Sequence, residues 1–120
     1  MLFVVSGASG TGKTTLCRAM VKLFPGLLFS VSHTTRPKRP GDVEGRDYFF
    51  VSPEEFKGMI DRGDFVEWAE IYGHCYGTSR EILTRAAREG KDIILDIDSQ
   101  GAEQLRRSGI PGVFVFLFPP

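Results

Sequence analysis

Lys13 and Thr14 stand near the end of Gly7-Ala8-Ser9-Gly10-Thr11-Gly12-Lys13-Thr14-Thr15, where Gly7, Gly12, Lys13 and Thr14 fit the spacing G-x-x-x-x-G-K-[ST]. That spacing suits phosphate. Glycines let backbone N–H groups converge on phosphate oxygens, and a following helix adds the partial positive charge of its N-terminus. In such a loop Lys13 reaches the β- and γ-phosphates of a nucleoside triphosphate, and the Thr14 hydroxyl ligates Mg²⁺. The pattern carries this meaning between a strand and a helix. Leu2 to Val5 is a short apolar run, and Leu16, Ala19, Met20 and Leu23 recur at helical spacing. The context is met, so Gly7 through Thr15 is predicted to bind a nucleoside triphosphate. The bland alternative is a flexible glycine turn with an incidental lysine.

Ile93-Ile94-Leu95-Asp96 has the form of a second nucleotide-binding element, an apolar strand that delivers a carboxylate at its C-terminal end. Ligands of open α/β sheets sit at that end. Asp96 is a candidate for the Mg²⁺ shell beside Thr14, or else an ordinary strand end. Asp98 either faces a second substrate or caps the next helix, and both roles can hold at once.

The elements that must position these groups follow from local signals. Phe24-Pro25-Gly26 ends the first helix, and Leu27 to Ser32 fits a strand covered on both faces. His33 to Gly45 is basic and turn-rich, with Pro37, Pro40 and Gly41 as punctuation, and Arg46 to Val51 reads as a strand. Ser52 caps a helix with Pro53 at its first position and Glu55 completing a capping box. Phe56, Met59 and Ile60 form that helix's buried face, and Gly63 stops it. Phe65 to Ile71 is a further strand, with a turn at Gly73. Thr78 and Glu81 are spaced as another capping box, opening a helix with Ile82, Leu83, Ala86 and Ala87 inward and Gly90 at its end. Asp92 to Asp96 is a strand, Asp98 or Ser99 caps a short helix carrying Ala102 and Leu105, and Val113 to Phe118 is a last apolar strand.

Strands alternating with helices imply parallel crossovers and an open α/β sheet. The stretch from His33 to Tyr76 breaks that alternation and reads as an inserted subdomain. The expected division is therefore a core of residues 1–32 and 77–120 around a subdomain of 33–76.

Composition narrows the partners. Fifteen basic residues balance fifteen acidic ones, so no global field favours nucleic acid or a membrane surface. At 120 residues one domain is expected, long enough to bury about two-thirds of its surface. Two cysteines make no disulfide framework; Cys17 is expected to be a buried thiol, and the His74-Cys75-Tyr76 neighbourhood offers too few ligands for zinc. No long apolar segment or leader pattern is present, so a cytoplasmic location is the default expectation.

Four stretches in order resemble the guanylate kinase family closely. They are the run from Ser30 to Ser52 containing His33-Thr34-Thr35-Arg36-Pro37-Lys38-Arg39-Pro40-Gly41-Asp42, then Phe65-Val66-Glu67-Trp68-Ala69, Tyr76-Gly77-Thr78 and Asp96-Ile97-Asp98-Ser99-Gln100-Gly101. The resemblance covers essentially the whole chain. It implies a P-loop NTPase three-layer α/β fold with a parallel sheet and an inserted GMP-binding subdomain. It also implies Mg²⁺-dependent transfer of a phosphoryl group from ATP to GMP.

By that resemblance, Arg36, Arg39, Tyr48 and Tyr76 bind the GMP phosphate; guanidinium forks and phenolic hydroxyls are suited to a dianion. Without it, Arg36 to Arg39 would read as a solvated basic loop. Glu67 can accept from guanine N1–H and the 2-amino group together, whereas a lone Glu in a strand is ordinarily at the surface. Ser32 and Thr78 match the family positions that hydrogen-bond O6, and Asp98 joins the GMP-binding set. Lys13, Arg36 and Arg39 are the expected catalytic residues, acting by charge stabilisation without a covalent nucleophile. His33 replaces a small hydroxyl residue of many members and is expected to be a tolerated substitution.

Family members run on beyond this chain's length, with a lid whose arginines clamp the ATP phosphates, further helices and a last strand. The C-terminal part is therefore expected to be truncated and activity weak. The strand at 113–118 is expected to become an apolar edge prone to self-association. Two rival functions share the fold: a binding module for a phosphorylated peptide, and a kinase for another phosphorylated small molecule. The complete set Gly7, Gly12, Lys13 and Thr14 weighs against the first, and Ser32, Glu67 and Thr78 against the second.

Overall fold

Continuous apolar runs at Leu2–Ser6 (β1) and Asp92–Asp96 (β7) become the two inner strands of a parallel sheet, because both of their faces are covered. The computed structural model describes residues 1–7 and 12–118. The chain forms two compact units, Met1–Ser30 with Leu83–Pro120, and Val31–Ile82. The expected boundaries, after residues 32 and 76, lie inside the second unit. The strand holding Thr78 pairs with its hairpin partner through Ser79, so it stays with the insertion.

In the first unit the strand order is β2 (Leu27–Phe29), β7, β1, β8 (Val113–Phe116), all parallel. Helix α1 (Lys13–Leu23) packs on one face, where Cys17 meets Val5, Leu27 and Ile94. Val4 and Leu95 are register partners and project to the opposite face, where α4 (Ser99–Ser108) packs on β1 with Leu105 fully buried. Asp98 caps α4, its Oδ1 accepting from the Gly101 amide at 3.1 Å, and Gly109 closes the helix in the left-handed region.

Two strands of this sheet are shorter than the sequence suggests, and the last one is the sheet edge expected of it. The strand read as Leu27 to Ser32 covers only Leu27–Phe29 and lies at one edge of the sheet. β8 covers Val113–Phe116, the opposite edge, with Val113, Val115 and Phe116 exposed.

In the second unit the order is β4 (Phe49–Phe50), β3 (His33–Thr34), β6 (His74–Ser79), β5 (Phe65–Ile71). β3 runs parallel to β4 and antiparallel to β6; β5 and β6 form a hairpin with a register shift between Phe65 and Glu67. Helix α2 (Pro53–Asp61) begins with the expected reciprocal capping box between Ser52 and Glu55, and buries Phe56 against Phe65 at 4.6 Å between ring centroids.

The strand expected over Arg46 to Val51 shrinks to Phe49–Phe50 because the preceding backbone bonds locally. Asp47 Oδ2 accepts from the Val43 amide, and the Arg46 and Gly45 amides donate to Val43 and Tyr48 carbonyls. α3 (Arg80–Arg88) spans the boundary between the units; Ala86 is buried, while Ala87, expected inward, is exposed. No helix among the described residues is long and apolar enough to cross a membrane.

Candidate active site

The donor-side residues meet in the first unit. Lys13 and Thr14 open α1, behind Gly12, whose φ of 88° places it in the left-handed region that favours glycine. No acidic residue occupies the first turn of α1, so its N-terminal amides and partial charge are left for an anion. Thr14 Oγ1 donates to Asp96 Oδ2 at 2.5 Å, and Lys13 Nζ lies 3.4 Å from Asp96 Oδ1. The hydroxyl, ammonium and carboxylate thus converge where β7 ends beside β1. Ala8, Ser9, Gly10 and Thr11 lie outside the described residues, while Gly7 directly follows β1 and Thr15 is exposed in the first turn of α1. Cys17, one turn into α1, has its thiol pushed up to about 12 by burial and then by Asp96, with Lys13 opposing.

The second unit holds two groups of predicted site residues. In the first, the Arg36 guanidinium lies over the rings of Tyr48 and Phe50, with Cζ 5.2 and 5.6 Å from their centroids. Tyr48 meets Tyr76 edge to face at 5.7 Å. Local backbone chemistry holds this arrangement in register. The Arg36 amide donates to Thr34 Oγ1, which in turn donates to the Cys75 carbonyl, and the Cys75 amide donates to Thr35 Oγ1. Two adjacent threonines, at the end of β3 and just beyond it, therefore pin the arginine beside the residue that precedes Tyr76. Arg39 is exposed, and its amide donates to Asp42 Oδ2.

In the second group, Thr78 Oγ1 donates to Glu67 Oε1 at 2.7 Å, with Thr78 fully buried and Glu67 only 4 % exposed. The β5 bulge sets these residues opposite each other, so Glu67 is not the surface carboxylate its strand context suggests. The hydroxyl proton of Thr78 is committed to Glu67, and in this arrangement it cannot also be donated to a carbonyl acceptor such as O6. Nor is Thr78 the helix cap: it lies within β6, which runs to Ser79, and Ser79 Oγ accepts from the Ile82 amide as α3 begins at Arg80. Ser32 accepts the Phe49 amide at its backbone carbonyl, at the junction of β3 and β4. Asp98 sits in the first unit as the α4 cap.

Sequence reasoning missed three contributors: Asp42, the Thr34–Thr35 pair and Phe50. An acidic residue following Pro40-Gly41 in a basic loop was the available signal for Asp42. Its carboxyl is held below the usual carboxylate range, chiefly by the Arg39 amide and then by the Arg36 side chain. His33 packs between Phe49 and Phe65, and its Nδ1 is buried without a hydrogen-bond partner. Burial lowers its pKa, with Glu44 opposing.

The family model described as guanylate kinase matches residues 1–120, the whole chain. A guanylate kinase of Geobacter sulfurreducens is 53 % identical over 120 residues, covering all of this chain and 59 % of that protein. One of Thermotoga maritima is 47 % identical over 119 residues, covering 99 % of this chain and 58 % of the relative. The crystal structure of guanylate kinase from Anaplasma phagocytophilum superimposes with a TM-score of 0.83 at 33 % identity, over all of this chain and 61 % of that one. The chain thus spans somewhat more than half the length of the relatives it matches. With the match running from end to end of the sequence, this chain belongs to the guanylate kinase family.

Proposed function

We propose that this chain carries the phosphate-donor and GMP-binding parts of an enzyme that transfers the γ-phosphoryl group of ATP to GMP, giving ADP and GDP. The observation that carries the choice of acceptor is the buried Glu67 held by Thr78 at 2.7 Å. Burying a carboxylate is costly unless something repays its lost hydration. A guanine edge offers two parallel N–H donors to such a carboxylate, and adenine does not. A site of this kind rejects the base that lacks the donors by a factor of about 10⁴, because its polar groups are left unpaired.

Arg36 and Arg39, with the Tyr48 and Tyr76 hydroxyls, bind the GMP phosphate and offset its charge, and Ser32 and Asp98 complete the GMP set. An oxygen of that phosphate is itself the attacking group: it bonds to the γ-phosphorus as the bond from that phosphorus to the β–γ bridging oxygen breaks. No protein nucleophile is required. Lys13 and the α1 amides stabilise the negative charge spread over the transferring group.

Thr14 and Asp96 bring together two hard oxygen donors, the donor type that suits Mg²⁺, an ion that keeps several waters and takes one or two protein oxygens with phosphates. Mg²⁺ held there supplies neutralisation of the β- and γ-phosphate oxygens. A module that only binds a phosphorylated peptide has a use for Arg36 and its neighbours but none for Lys13, Thr14 and Asp96 held together.

Isothermal titration with GMP and AMP tests the reading. Glu67→Gln is expected to weaken GMP binding by ~2 to 4 kcal/mol, the scale for breaking one partner of a buried charge-assisted contact, and to leave AMP unaffected. Equal losses for both nucleotides would show that Glu67 supports the fold instead of reading the base.

A further inference from the structure

Asp42 is a carboxylate in the arginine cluster to which the preceding reading assigns no role. Its Oδ2 accepts from Arg36 Nη1 at 3.0 Å and from the Arg39 amide at 2.8 Å. The amide contact anchors the carboxylate to the main chain, so the side-chain contact anchors the guanidinium to the loop. Nη1 also donates to the Pro37 carbonyl at 3.0 Å. Both hydrogens of Nη1 are thereby used. The Nε and Nη2 donors make no hydrogen bond to any described residue, and together they form the edge of the guanidinium fork that matches two phosphate oxygens.

Burial makes this anchoring necessary. The side chains of Arg36 and Asp42 are 8 % and 18 % exposed. A guanidinium that far out of water, without a counter-charge, would swing toward solvent and leave the faces of Tyr48 and Phe50. The Thr34 hydroxyl fixes the Arg36 backbone, but nothing else in the cluster fixes the far end of its side chain with opposite charge.

We infer that Asp42 is a positioning residue for the GMP phosphate: it holds Arg36 by one nitrogen, under the aromatic rings, so that the opposite edge of the fork is presented to the anion. The same carboxylate ties the Arg39 amide to Arg36 and sets the spacing of the two arginines. The inference rests on the reading of Arg36 as a ligand of that phosphate. It differs from a competing arrangement in which Asp42 merely neutralises Arg36 and must be displaced; that arrangement makes its removal strengthen anion binding.

The test measures binding of GMP and of guanosine, which lacks the phosphate, to the 120-residue chain and its variants. Asp42→Asn is expected to weaken GMP binding on the order of tenfold through loss of fork alignment while leaving guanosine binding unchanged. Asp42→Glu should recover part of the loss. Asp42→Ser, which keeps an acceptor for the Arg39 amide but no charge for Arg36, should behave like Asp42→Asn and serves if that variant does not fold. On an Arg36→Lys background, Asp42→Asn should change GMP binding by less than about twofold, because the fork it aligns is gone.

Unchanged or tighter GMP binding in Asp42→Asn, with Arg36→Lys weakened, overturns the positioning role and leaves the phosphate site standing. Equal losses for GMP and guanosine overturn it in favour of a purely structural contact. No effect of Arg36→Lys on GMP overturns the phosphate reading itself.

Discussion

Replacing Thr78 by Val removes one hydroxyl from a buried carboxylate and changes almost nothing else. The two side chains have nearly the same shape, and Thr78 is fully buried, so no cavity opens. What is lost is the 2.7 Å hydrogen bond to Glu67 Oε1. A hydrogen bond to a charged group contributes about 1.5 to 3 kcal/mol, and the carboxylate, 4 % exposed, has little water to take its place. For a chain of 120 residues the unfolding entropy is about 0.25 kcal/mol/K, so a loss of ~2 kcal/mol lowers Tm by about 8 °C. The control is Thr78→Ser, which keeps the donor and deletes a methyl group, at about 1 kcal/mol. Scanning calorimetry of the three proteins at pH 7 gives the comparison directly. Thr78→Val is expected to unfold at the lowest temperature and to bind GMP more weakly, since the Glu67 carboxylate loses that hydrogen bond. A Val variant within about 2 °C of the parent, or more stable than the Ser variant, would refute the assignment of the hydroxyl to Glu67.

Gly77→Ala would place a methyl group 2.7 Å from Phe65 Cε1, with Phe65 already confined by Phe56 and His33, so a loss of about 1 to 3 kcal/mol is expected in urea denaturation; a change under about 0.5 kcal/mol would show that the ring moves freely. His33 is held neutral by burial, its pKa lowered from 6.5, so the unfolded chain takes up a proton before the folded one does. Stability contributed there is complete above pH 6.5 and declines as pH falls toward the lowered folded value. Tm measured from pH 8 to pH 5 should fall less steeply for His33→Asn than for the parent; parallel profiles would remove His33 as the cause. The edge strand β8 exposes Val113, Val115 and Phe116, and no described strand pairs with its outer side. Light scattering on the 120-residue chain is expected to show concentration-dependent association that Val115→Lys suppresses; a parent that stays monomeric at every concentration tested would count against it.

Features set by residues a few positions apart were legible in the sequence. The Ser52–Glu55 capping box, the stop at Gly109, the hairpin strand Phe65–Ile71 and the buried strand Asp92–Asp96 are decided by chain stretches of one turn or one strand, and they stand where the pattern put them. The same holds for the strand Leu2–Ser6 and the helix Lys13–Leu23. Features set by which strands become neighbours were not legible. Thr78 and Ser79 are both hydroxyl residues before a helix, and only the pairing of β5 with β6 commits the first to Glu67 and leaves the second as the cap. Leu27 to Ser32 is apolar enough for an inner strand, yet its place at the sheet edge and its three-residue length come from pairing with β7 alone. Asp42 looks like any turn residue until its carboxylate is seen between Arg36 and the Arg39 amide. A hydrogen-bond donor or a charge can be read from its residue type, but its partner is chosen by tertiary packing, because burial makes every such group find one and the chain alone does not say which is in reach.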